Sequence, residues 1–188
     1  MKFIKSEMPL SEEFDPTQGN WIKAKEPSQD KYLLYSVPLA IITWIIMWVI
    51  AITLFKQSRV FSFIYFIISF ILIIPIHETI HALVFPESIK SDNVIFGMWL
   101  EKGIFYAYYE GEMSKKRFIL CLLMPLMTLS VLPIILMYFL GWNKFVFNFA
   151  QLNAFLACGD ILGFFIMTFN LPKGVIVRNK GWETYYRF

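Results

Sequence analysis

Phe70-Ile71-Leu72-Ile73-Ile74-Pro75-Ile76-His77-Glu78-Thr79-Ile80-His81 carries an uncharged apolar stretch straight into an H-E-x-x-H motif that holds both histidines of the protein. On a helix, residues four apart share a face, so the two imidazoles can bind one metal ion. The glutamate after the first histidine can then take a proton from a water that the metal activates. Two histidines with a carboxylate are a common catalytic zinc set. The competing reading is chance spacing, roughly a one-in-a-thousand coincidence in a chain with so few histidines. The apolar lead sets the motif inside a membrane-spanning helix, and that setting decides the fold class.

Composition points the same way. Of 188 residues, 57% are hydrophobic and 16% charged, and the mean hydropathy of +0.57 lies outside the range of ordinary soluble domains. A multi-pass membrane protein with short loops suits this length; the apolar runs are too long and continuous for a water-soluble helical core. A net charge of +3 gives no argument for nucleic acid as a partner. Cys121 and Cys158 fall within apolar stretches and form neither a disulfide framework nor a C-x-x-C pair. Met1 to Asp30 is polar and of mixed charge, unlike a signal peptide.

Residues 1–31 read as an extended polar arm, with Phe14 and Trp21 free to rest on the membrane surface or on the protein. Leu33 to Phe55 and Val60 to Phe85 can each span a bilayer, joined by the polar turn Lys56-Gln57-Ser58-Arg59. Pro75 predicts a kink just before His77, and Pro86 ends the second span. Val94 to Leu100 and Ile104 to Tyr109 are β-branched and aromatic on either side of Glu101-Lys102-Gly103. They predict a β-hairpin over about residues 94–109, pressed on the bilayer or the helices, with a short helix as the alternative. Ser114 can cap a third span, Phe118 to Leu140, interrupted by Pro125 and Pro133; Phe145 to Phe169 is the fourth. Residues 171–188 form a polar basic tail. The expected fold is an all-α transmembrane bundle of four helices within residues 32–170, with a small membrane-associated β-hairpin between the second and third.

Lys and Arg number five in the arm, two after the first span, five after the second, one after the third and four in the tail. Four spans therefore separate fourteen from three, and the positive-inside rule makes the rich side cytoplasmic, with both termini there. The second and fourth spans then run in the same direction, and His77 and Asp160 lie at nearly equal depth. His77, Glu78, His81 and Asp160 are the strongly ionisable residues deep in the apolar runs, and one metal ion accounts for all four. As third ligand, Asp160 leaves one coordination position open for water; a carboxylate hydrogen-bonded to serine or backbone is the alternative. Asn153 lies seven residues earlier on about the same helix face. Its amide either meets substrate backbone or a developing oxyanion, or makes a helix–helix hydrogen bond. Thr79, Ile80 and Cys158 read as packing.

With H-E-T-I-H on one membrane helix and C-G-D-I-L on another, the chain resembles the site-2 protease group of intramembrane zinc metalloproteases. It is more closely similar to a zincin peptidase family of small bacterial membrane proteins. The shared features are His77 to His81, Phe96-Gly97, Tyr106 to Tyr109, Pro125 and Gly159-Asp160, within about Phe70 to Gly163. The resemblance implies zinc held by His77, His81 and Asp160, Glu78 as general base, and a multi-pass protein of the bacterial plasma membrane. The sequence departs from the N-P-x-x-x-x-D-G pattern of site-2 proteases: no proline follows Asn153, and glycine precedes Asp160.

The expected function is that of an intramembrane zinc metalloendopeptidase acting on membrane protein or peptide substrates within the lipid bilayer. A non-catalytic metal-binding accessory or immunity protein is the alternative from another class. Metal transport is weaker, because no second ligand set is present in the sequence. Glu78 need not bind the metal, so its presence favours hydrolysis over simple binding. The sequence does not define the oligomeric state.

Overall fold

The computed structural model describes residues 1–10 and 14–188, so residues 11–13 of the arm lie outside the described residues. The helices are α1 (Gln29–Thr53), α2 (Phe63–Val84), α3 (Lys115–Leu126), α4 (Leu132–Leu140), α5 (Lys144–Leu156) and α6 (Cys158–Asn170), with a π-helical turn, Met127–Val131, between α3 and α4. The strands are β1 (Lys2–Ile4), β2 (Ile22–Lys23), β3 (Val94–Trp99), β4 (Ile104–Tyr109), β5 (Met113–Ser114), β6 (Ile176–Lys180) and β7 (Glu183–Arg187).

Gln29–Thr53, Phe63–Val84 and Lys115–Leu140 are long and apolar enough to cross a membrane, and α5 with α6 makes a fourth such stretch if the bent pair is one span. Only 17% of the most apolar window of each of the first three is buried by the protein itself, leaving side chains such as Phe63, Ile71 and Phe139 exposed. Such surfaces suit hydrocarbon as solvent. The arrangement is compatible with a multi-pass membrane protein.

The helices depart from uniform rods where the sequence supplies a cause. α2 continues through Pro75, whose carbonyl accepts the Thr79 hydroxyl at 2.6 Å. Two prolines bracket the π-helical turn of the third stretch, where wider i to i+5 bonding absorbs an irregular ladder. The fourth stretch, expected as one helix, is two, bent by 47°. The break falls at Ala157, beside Gly159, whose carbonyl accepts the Tyr32 hydroxyl of α1 at 2.8 Å. Gly163 must lack a side chain, because an added Cβ would sit 2.6 Å from that hydroxyl. α1 and α6 can therefore approach closely, and α1 also lies along α5.

The strands go beyond the single expected hairpin. β3 and β4 pair antiparallel, Phe96 facing Ala107, and β1 adds a parallel strand on the other side of β3, giving the order β1-β3-β4. Gly97 faces Tyr106, whose ring occupies the space where a Cβ would lie, and the Tyr106 hydroxyl donates to the carbonyls of Ser6 and Glu7 at 3.0 Å. The arm thereby closes one edge of the sheet and leaves the β4 edge turned toward α2. The second sheet has the order β2-β7-β6-β5 and joins arm and tail. Phe14, 3% exposed, fills its core between Trp21 and Tyr185, with the Arg178 guanidinium over its ring.

The basic cluster that opens α3 caps neighbouring helices. Arg117 donates to the carbonyls of Val84 and Phe85 at the end of α2, and Lys115 to those of Thr168 and Leu171 at the end of α6. Cations at helix C-termini meet orphan carbonyls and the negative end of the dipole. At the opposite helix ends, Asn148 accepts from the Ser62 amide and donates to the Val60 carbonyl.

The arm–tail sheet contains a titratable clasp. Glu26 accepts from the Thr184 amide at 2.6 Å and its hydroxyl at 3.1 Å, and burial pushes its carboxyl up to about 7. The folded clasp therefore binds a proton more tightly than the unfolded arm, whose glutamate titrates near 4.5. Its stability is fully present below about pH 4.5 and declines as the pH rises through about 7. Glu26→Gln is expected to remove this dependence and stabilise the clasp at pH 8 by on the order of 2 kcal/mol. Amide exchange in β2 and β7 at pH 6 and pH 8, corrected for intrinsic rates, checks it.

Candidate metal centre

Helical spacing puts His77 and His81 on one face of α2, each 7% exposed. The break at Ala157 starts a new helix, and Asp160 lies in its first turn, where the partial positive charge of the helix N-terminus favours a carboxylate. His77 Nε2 is 2.9 Å and His81 Nε2 3.4 Å from Asp160 Oδ2. One donor atom from each of these three side chains lies within 4.8 Å of the others. Adjacent donors of a tetrahedral zinc site are roughly 3.3 Å apart, so the cluster approaches that spacing.

The outer nitrogens of both rings are held. His81 Nδ1 lies 2.9 Å from the Cys121 carbonyl, which can only accept, so this nitrogen carries a hydrogen. His77 Nδ1 lies 2.9 Å from Asn153 Oδ1. Both Nε2 atoms therefore turn inward toward the carboxylate. Two imidazole nitrogens and a carboxylate oxygen converging on one point are the donor set of a metal site.

Glu78 occupies the next position on α2, and its Oε2 accepts from the Ala107 amide at 2.6 Å. That amide belongs to the outer edge of β4. The pairing Glu110 N–H to Asn93 carbonyl sets the alternation, so Ile104, Tyr106 and Tyr108 bond to β3, whereas Phe105, Ala107 and Tyr109 face away from it. A cavity of about 430 Å³ is lined by His77, Glu78, His81, Asp160, Tyr32 and the whole of β4.

The structure brings His77, His81, Asp160 and Glu78 to this cavity. Asn153 stands behind His77, fully buried, and does not line it. Sequence reading missed the Cys121 carbonyl and the Ala107 amide, main-chain groups that leave no residue signature. It also missed Tyr32 and Ser130. Ser130, 2% exposed in an apolar span between two prolines, had a usable signal: an intramembrane hydroxyl needs a partner.

In comparisons with known proteins, a family model described as "Putative zincin peptidase" matches residues 70–176, more than half of the chain. The match includes the H-E-x-x-H motif, β3, β4 and Asp160. No curated protein and no solved structure matches the chain.

Proposed function

The chain belongs to the zincin peptidase family, and from that premise we propose that it is an intramembrane zinc endopeptidase working in the manner of site-2 proteases. The observation that carries this reading is the Glu78–Ala107 hydrogen bond, because it joins the candidate base, the ligand cluster and an open strand edge on one cavity. His77, His81 and Asp160 would hold the zinc. When bound, zinc polarises a peptide carbonyl and lowers the pKa of water toward neutrality. Glu78 accepts the proton of the attacking water and returns it to the leaving amine. Ala107 engages Oε2, which leaves Oε1 for that proton.

The β4 edge supplies positioning. A helical substrate hides its carbonyls within its own hydrogen bonds, so it must unwind before attack. The outward main-chain groups of Phe105, Ala107 and Tyr109 can then pair with it as an added strand. Phe105→Pro removes an outward N–H but no bond to β3. It is expected to slow processing of a co-expressed membrane substrate several-fold and to leave zinc content unchanged. Equal processing by this variant and wild type would remove β4 from substrate binding.

The orientation we propose has both termini in the cytoplasm. Lys102 Nζ lies 2.7 Å from Asp30 Oδ1, and the second sheet joins residues 22–23, 113–114 and 176–187, so the three lysine- and arginine-rich segments gather at one end. Single cysteines at 30, 102 and 178 are expected to resist labelling from outside intact cells, while one at 57 reacts. Outside labelling at 102 would contradict this orientation.

A further inference from the structure

We infer that Ser130 and Asn153 form a one-way hydrogen-bond relay that sets the tautomer and facing of His77, making both of them positioning residues for the metal centre; this rests on the metal-site reading above. The relay is wholly buried, with Ser130 2% and Asn153 0% exposed. Its direction follows from where it ends. The Ser130 hydroxyl donates to the Ala150 carbonyl at 2.8 Å, so the remaining role of its oxygen is to accept, and Asn153 Nδ2 donates to it at 2.8 Å. The same Nδ2 donates its other hydrogen to the Pro125 carbonyl at 3.1 Å. With its nitrogen committed to two acceptors, the amide must turn its oxygen toward His77. His77 Nδ1 then has to donate across the 2.9 Å contact, which leaves Nε2, 2.9 Å from Asp160 Oδ2, as the nitrogen that can bind metal.

For His81 a single main-chain carbonyl does this work. His77 needs the relay because the group behind it is an amide, which can present either face. The π-helical turn contributes here: Ser130 lies within it, and its hydroxyl reaches α5. Both N–H groups of the Asn153 amide are consumed, so none remains to meet a substrate carbonyl. Asn153 thus acts through His77 rather than on substrate.

The test uses the full chain purified in detergent. Zinc affinity is read by competition with a chromophoric chelator, and ligand geometry by the visible spectrum of the cobalt form. Asn153→Leu is expected to weaken zinc by about 10- to 100-fold and shift the cobalt spectrum. Ser130→Ala, which keeps the core shape, is expected to weaken it by about threefold to tenfold, because the Pro125 carbonyl still holds the amide. Ser130→Thr, retaining the hydroxyl, should stay near wild type. Ser69 on α2 is equally buried and its hydroxyl has no hydrogen-bond partner among the described residues, so Ser69→Ala should bind zinc as wild type does. Wild-type affinity and spectrum in Ser130→Ala and Asn153→Leu would overturn the relay while leaving the metal site standing. An equal loss in Ser69→Ala would also overturn it, by reducing the effect to general loosening of the core. A wild-type protein that binds no zinc would instead remove the metal-site reading on which the relay rests.

Discussion

Glu78→Gln is expected to lower peptide hydrolysis about a hundredfold or more while leaving zinc content and fold at wild-type levels. The side chains match in size, and the glutamine oxygen can still accept from the Ala107 amide, now 2.6 Å from Oε2. What disappears is a group able to take a proton at neutral pH, and general-base help alone is typically worth about 10²- to 10⁴-fold. The measurement is turnover of a co-expressed membrane protein captured by the inactive variant. Equal turnover by the two forms would leave a metal-stabilised binding protein as the better account.

Asp160→Ala is expected to cost the protein most of its zinc, and with it all activity. The carboxylate stands between two inward-facing imidazole nitrogens, at 2.9 and 3.4 Å. Without it, two neutral nitrogens remain, and the negative charge that favours a divalent cation is gone. The fold should survive, because α6 is also held by the Tyr32 bond to the Gly159 carbonyl and by Lys115 at its C-terminus. Metal analysis beside a circular-dichroism spectrum separates loss of ligand from loss of structure. Full zinc in a folded, active Asp160→Ala protein would pass the ligand role to another group.

The parts legible in the sequence were those encoded by local patterns. Helical spacing brought His77 and His81 together, and matched depth in two apolar runs singled out Asp160, 83 residues beyond His77. Enrichment in β-branched and aromatic residues on either side of a short turn marked residues 94–109. The arm strands were not legible, because β1 and β2 are too short to carry a period of their own and pair with β3 and β7 far along the chain. The β6–β7 hairpin of the tail, by contrast, is local, turns at Gly181-Trp182 and was missed. The break at Ala157 had a local signal in Gly159, but the close approach of Tyr32 from α1 that accompanies it had none. Asn153 was recognised as a candidate, but its role turns on which way an amide faces. That is decided by Ser130 and two carbonyls, and no spacing rule relates them.

The proposed reading makes this chain a zinc protein with His77, His81 and Asp160 as ligands. Its most direct test is zinc content per chain in the purified wild type, measured beside His77→Ala and His81→Ala. The account predicts about one zinc per wild-type chain and marked loss in either variant. A folded wild-type protein without zinc after purification in its presence, or variants that keep full zinc, would contradict it.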